Sequence, residues 1–160
     1  MAIRTGDKAF GFTLPSKPGQ PVDVAEHIGR ESVVLLFFPL AFSPVCTDEM
    51  CGLRDEWSKW KGLDAKVFGI TADSPFVTDK FRTELKIPFP ILSDFNKEVA
   101  RRYGVLHEEL ASLKGVPKRS AFVIDPSGTV QYDWVSDDPK VLPDFEAIRT
   151  AVAGATSGAV

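Results

Sequence analysis

The sequence is short of the residues that build metal centres and disulfide scaffolds. Only two of its 160 residues are cysteine, Cys46 and Cys51, and only two are histidine, His27 and His107. Two cysteines at this spacing, with no second pair and no nearby histidine, do not make a tetrahedral ligand set, so no metal is expected. Neither histidine is placed for a Cys-His hydrolase; both lie in unpatterned polar surroundings and read as surface residues. Long apolar runs are missing as well. The longest covers about ten residues and contains Pro39, well short of the roughly 20 that span a bilayer. No secretory apolar core follows Met1-Ala2-Ile3-Arg4. There is no basic excess: 19 Lys and Arg stand against 22 Asp and Glu, a net charge of -3. That balance argues against nucleic acid or an anionic membrane as the main partner. A cytoplasmic protein is the default expectation. In a reducing compartment two cysteines point to catalysis or redox chemistry before a structural staple.

What is present reads as strands alternating with helices over a length that suits one domain, 1–160. Phe10, Phe12 and Leu14 alternate with Gly11 and Thr13, which predicts a short strand ended by Pro15-Ser16-Lys17-Pro18-Gly19. Val22 and Val24 can pair back as a hairpin, and Ala25 to Gly29 makes a turn of helix. Ser32 to Phe38 is apolar on both faces, the mark of a strand inside a sheet covered on both sides. Cys46, Met50, Leu53, Trp57 and Trp60 form one stripe at helical spacing and predict a helix towards Lys61, with Gly62 as its C-cap. Lys66 to Thr71 is a second buried strand. Asp73 or Ser74 caps a helix that begins at Pro75 and buries Val77, Phe81 and Leu85. Pro88 and Pro90 leave room only for a short edge strand at Ile91-Leu92. Asn96 to Tyr103 reads as a helix ending at Gly104, and Glu108 to Lys118 as a polar loop. Ser120 to Ile124 is a third buried strand, and Thr129 to Val135 returns beside it after the turn at Asp125-Pro126-Ser127-Gly128. Pro143 to Val152 is the last helix, with 153–160 a flexible tail. Parallel β-α-β units followed by a hairpin and a covering helix predict a three-layer α/β/α sandwich on a mixed sheet, thioredoxin-like with an N-terminal extension.

The chemistry concentrates between Pro39 and Cys51. A strand, a turn bounded by Pro39 and Pro44, and a helix whose first turn carries Cys46 put the sulfur where free N–H groups and the helix dipole favour an anion. Ser43 can cap the helix or donate to something bound beside the sulfur. A thiolate among converging donors suits attack on an electrophile whose leaving oxygen gains negative charge. Asp48 and Glu49 oppose a neighbouring thiolate, so a cation is expected to balance them, and Arg119, just before a buried strand, is the best candidate. Cys51 lies one position off the apolar stripe. Five residues of helix separate the two sulfurs by roughly 140° and about 7.5 Å of rise, whereas a disulfide needs Cα atoms within roughly 7 Å and facing side chains. If the two cysteines pair, the start of the helix must unwind.

Pro39-x-x-x-Ser43-x-x-Cys46 together with Arg119-Ser120-Ala121-Phe122 resembles the peroxiredoxins. The resemblance runs from Phe12-Thr13-Leu14 through Val33–Pro39 to Phe122-Val123-Ile124-Asp125. The Cys46–Cys51 spacing is similar to the peroxiredoxin Q (bacterioferritin comigratory protein) branch, while Phe37-Phe38-Pro39-Leu40-Ala41-Phe42 looks like the alkyl hydroperoxide reductase E branch, usually described as one-cysteine. Ser43 stands where Thr is commoner. The resemblance implies a peroxidatic Cys46 oxidised to sulfenic acid by a hydroperoxide, with Arg119, Ser43 and Pro39 forming the site and Glu49 orienting Arg119. It also implies Cys51 as resolving cysteine and a thioredoxin-like dithiol as reductant, with no cofactor. Monomer and homodimer are both compatible with the sequence. Two rival readings stay open: a one-cysteine peroxidase resolved by an external thiol, and a thiol–disulfide redox module without peroxidase activity. The second usually shows two residues between its cysteines, where four stand here.

Overall fold

The computed structural model describes residues 3–60 and 62–158; Met1, Ala2, Lys61, Ala159 and Val160 lie outside the described residues. Its centre is β3 (Ser32–Phe37), buried along its whole length. β3 runs parallel to β4 (Ala65–Thr71) and antiparallel to β6 (Ser120–Ile124). β5 (Ile91–Ser93) lies parallel at the outer side of β4, and β7 (Val130–Val135) antiparallel at the outer side of β6, giving the order β5-β4-β3-β6-β7. Alternation along β3 sends Val33, Leu35 and Phe37 to one face and Val34, Leu36 and Phe38 to the other. Both sets are fully buried, which is why the run reads as continuously apolar.

One face is covered by α1 (Pro44–Asp55), α2 (Pro75–Leu85) and α4 (Phe145–Gly158), through Met50, Leu53, Phe81, Ile148 and Val152. The other is covered by α3 (Glu98–Tyr103), through Val99, Ala100 and Tyr103, and by the N-terminal segment with Phe12 and Val24. A separate hairpin, β1 (Thr13–Lys17) with β2 (Gln20–Asp23), completes this side. The result is the expected α/β sandwich of three layers on a mixed sheet. Among the described residues no helix is long and apolar enough to cross a membrane.

Several boundaries differ from those the sequence predicts, each for a tertiary reason. The first strand begins at Thr13, not at Phe10. The Phe10 backbone is taken instead by Tyr103, whose hydroxyl donates to the Phe10 carbonyl at 2.8 Å and accepts from its N–H at 3.1 Å. Pro15 sits inside β1 rather than ending it, tolerated because the hairpin has only two strands and Pro15 faces Pro21. α1 starts two residues before Cys46 and stops at Asp55, so Gly62 does not cap it. A 3-10 turn, Trp57–Lys59, follows. Three residues make a full turn of such a helix, so Trp57 and Trp60 stack at 5.9 Å with their planes 10° apart, an overlap an α-helix would not give. α4 continues through Gly158 where a tail from Ala153 is expected. Ile148, Val152 and Ala155 extend one buried stripe, and alanine favours helix. His107 is buried, not on the surface, with its N–H donating to Val116.

Replacing Tyr103, fully buried between Phe10, Phe12 and Phe37, with Phe keeps the ring contacts and removes both bonds to Phe10. Tyr103→Phe is expected to lower the stability measured by urea unfolding by about 1–3 kcal/mol. An unchanged midpoint would mean that the hydroxyl contributes nothing net.

Candidate active site

The site forms where β3 gives way to α1. β3 ends at Phe37, opposite Ser120 in the antiparallel register with β6. Arg119, one residue before Ser120, therefore lies beside the chain as it leaves the sheet towards Pro39. That register brings together Cys46 and Arg119, 73 residues apart in sequence.

Cys46 occupies the third position of α1, after Ser43 at the N-cap, Pro44 and Val45. Its side chain is fully buried. Arg119 donates from Nη2 to Cys46 Sγ at 3.1 Å. The same guanidinium pairs with Glu49 through Nη1 and donates to the Pro139 carbonyl from Nε at 3.2 Å and from Nη2 at 2.9 Å. Arg119 and Glu49 are 1% and 0% exposed. A buried ion costs several kcal/mol unless paired and hydrogen-bonded, and here α1 supplies Glu49 and Cys46 and the loop after Val135 supplies the Pro139 carbonyl. Glu49 lies one turn after Cys46, so both side chains meet Arg119 from one face of α1. The pKa of the Glu49 carboxyl is raised from its ordinary 4.5 to about 7, because burial outweighs the charge and hydrogen bond of Arg119. Among the described residues its second oxygen has no hydrogen-bond partner. Asp48 points to solvent, so Arg119 balances Glu49 and not both acids.

Ser43 does not cap α1 with its hydroxyl. The hydroxyl donates to the Leu40 carbonyl at 2.7 Å, and no side-chain capping bond forms. The N–H groups of Val45 and Cys46 are left without a capping hydroxyl at the helix start. Pro39 is buried. Pro39, Leu40, Ser43, Cys46 and Arg119 line a cavity of about 200 Å³ together with Leu110 and Lys140. Cys51 is half-buried on the same unbroken helix as Cys46, and both thiols are free. Among the described residues no cluster of His, Cys, Asp and Glu is arranged to hold a metal ion.

The structure thus joins Cys46, Ser43, Pro39, Glu49 and Arg119 in one place and leaves Cys51 outside the cavity lining. Sequence reasoning missed Pro139, whose contribution is a backbone carbonyl without any residue signature, and Leu110, which sits in a loop read only as polar. It also left Asp73 as one of two helix caps. Ser74 takes that role, accepting from Val77 N–H at 3.4 Å, and Asp73 turns instead to Ala41 N–H at 2.7 Å.

A sulfur at a helix start, met by a buried guanidinium beside a small cavity, suits nucleophilic attack on a group that gains negative charge as it leaves. The AhpC/TSA family model matches residues 5–133. A "Putative peroxiredoxin bcp" from Coxiella burnetii is 35% identical over 147 residues, covering 90% of this chain and 93% of the relative. A chloroplastic "Peroxiredoxin Q" from Sedum lineare is 36% identical over 129 residues, 81% of this chain and 67% of the relative. The crystal structure of "Peroxidoxin BcpB" from Mycobacterium tuberculosis superposes with a TM-score of 0.80 at 32% identity, over 97% of each chain. The chain belongs to the AhpC/TSA family and is a peroxiredoxin, a thiol-dependent peroxidase on a thioredoxin-like fold. The Coxiella and Sedum relatives carry the names bcp and peroxiredoxin Q, as in the first of the two branches that the sequence resembles.

The raised Glu49 carboxyl has a consequence for stability. The folded state holds a proton there that the unfolded chain releases between about pH 4.5 and 7. This contribution is present in full below pH 4.5 and lost as pH rises through 7. Urea midpoints of the parent are therefore expected to fall more between pH 5 and pH 8 than those of Glu49→Gln, which has no proton to exchange. Equal pH slopes in the two proteins would contradict the assignment.

Proposed function

We propose that residues 1–160 form one peroxidase domain that reduces hydrogen peroxide and organic hydroperoxides through Cys46. The observation that carries this reading is Arg119 Nη2 at 3.1 Å from Cys46 Sγ beside the cavity. The Cys46 thiolate attacks the outer oxygen of ROOH. An S–O bond forms, the O–O bond breaks, and the departing alkoxide takes a proton and leaves as ROH. Sulfur is oxidised to sulfenic acid and the peroxide is reduced. Arg119 and the Cys46 N–H stabilise charge as it spreads over the two oxygens. Ser43 Oγ, whose hydrogen goes to Leu40, keeps lone pairs to accept from the hydroperoxide O–H. Pro39 shields the sulfur from bulk water, and Glu49 acts as a positioning residue through Arg119.

Cys51 then condenses with the sulfenic acid, forming an S–S bond and releasing water, and a thioredoxin-like dithiol reduces the bridge by thiol–disulfide exchange. Such a cycle belongs in a reducing compartment, which supports a cytoplasmic setting. Because α1 is continuous through both cysteines, the bond requires its first turns to open. Arg54 donates from Nη1 to the Leu85 carbonyl at 2.7 Å, tying the second half of α1 to the end of α2 and leaving the N-terminal half to move. The same continuity of α1 favours the second reading, in which an external thiol resolves Cys46 and Cys51 only packs.

Intact mass after one equivalent of peroxide, without added thiol, separates the two. The expected result is loss of two hydrogens in the parent and gain of one oxygen in Cys51→Ser. Gain of oxygen in both proteins would leave Cys46 as a one-cysteine centre. No mass change in either would reject the peroxidase reading.

A further inference from the structure

The turn that carries Pro39 and leads into α1 is held by few backbone bonds of its own. Ser43 N–H reaches the Leu40 carbonyl only at 3.4 Å. Phe42 lies in the left-handed region at φ 67°, a conformation that costs a bulky L-residue and persists only where its surroundings impose it. Side chains from the far end of β4 supply the restraint. Asp73 Oδ2 accepts from Ala41 N–H at 2.7 Å. Thr71 Oγ1, fully buried, donates to Asp73 Oδ2 at 2.8 Å and lies 3.3 Å from the Pro39 carbonyl oxygen, so its single hydrogen is shared. Asp73 is itself fixed: its carbonyl accepts from Ser93 Oγ at 2.6 Å, and Asp94 N–H donates to the Thr71 carbonyl at 2.7 Å. Thr71 is the last residue of β4 and Asp73 lies in the bend between β4 and α2, whereas Pro39 and Ala41 belong to the segment leading into α1.

We propose that Asp73, with Thr71, is a positioning residue that latches the Pro39–Ser43 turn in the peroxide-reactive arrangement and must release it before Cys46 can meet Cys51. The latch favours the first chemical step, by holding Pro39 and the start of α1 against Arg119, and opposes the second, by adding to the cost of local opening. Its second half rests on the reading of Cys51 as the resolving residue.

The test is stopped-flow measurement of the two steps separately, followed by the fluorescence of the tryptophans. Asp73→Ala is expected to react with hydrogen peroxide roughly tenfold to a hundredfold more slowly and to form the Cys46–Cys51 disulfide several-fold faster once oxidised. Asp73→Asn, whose amide oxygen can accept from Ala41 N–H and Thr71 Oγ1, is expected to restore both rates to near the parent's. Thr71→Val, which removes the shared hydrogen, moves both steps in the same directions by less, and carries the test if Asp73→Ala does not fold. A peroxide step unchanged within about twofold, or both steps slowed together as general loosening would give, overturns the proposal. If the parent itself forms no internal disulfide, the resolving role of Cys51 fails, and the peroxide step with its rescue by Asn decides the latch alone.

Discussion

The guanidinium of Arg119 is the charge on which the rest of the site depends. It is almost wholly buried, and no ion is left there without compensation from several directions. Glu49 supplies opposite charge from α1, Pro139 a carbonyl from the loop after β7, and Cys46 a sulfur at the helix start. Two of these partners lie on α1 and the third on the loop after β7. The guanidinium thereby fixes where α1 begins relative to β6. Glu49 is the weaker member of the pair, since burial opposes its charge more than Arg119 restores it. The site is consequently a cation beside a sulfur with its countercharge only partly committed, an arrangement suited to an oxygen that becomes negative during reaction.

A second constraint works against the first. The buried ion pair asks for a fixed α1, and a bond between Cys46 and Cys51 asks for an open one. The structure separates the two demands along the helix. Its later turns are anchored by Met50 and Leu53 in the core and by Arg54 on α2. Its first turn has no capping side chain and follows a turn in which Phe42 takes a left-handed conformation. The later turns are thus held by the core and by α2, and the first turn through Cys46 and its bond from Arg119 without a capping side chain.

How far the sequence could be read follows from the range of each interaction. β3, β4 and β6 were legible because a strand buried on both faces leaves a run such as Val33–Phe38 with no polar interruption. The start of α1 was legible because Pro39, Ser43, Pro44 and Cys46 lie within eight residues and act locally. Boundaries set by distant partners were not. Tyr103 decides where β1 begins, and the stacking of Trp57 on Trp60 accompanies the early end of α1. Arg119 was legible as a candidate cation from its place just before a buried strand, but what set it apart from Lys118 beside it was the resemblance to a family.

The sequence by itself therefore determined the layered α/β class, the cysteine at a helix start and the five-residue spacing that forbids a disulfide on an intact helix. These follow from periodicity and from neighbours in the chain. Only the tertiary structure decided that Ser43 bonds to Leu40 instead of capping α1, that Glu49 rather than Asp48 meets Arg119, and that Asp73 holds Ala41. Each choice was open locally, between two hydrogen-bond partners or two acids. For Glu49 and Asp73 the register of β3 with β6 and the end of β4 resolved it by bringing one partner within reach; for Ser43 the path of the turn itself did.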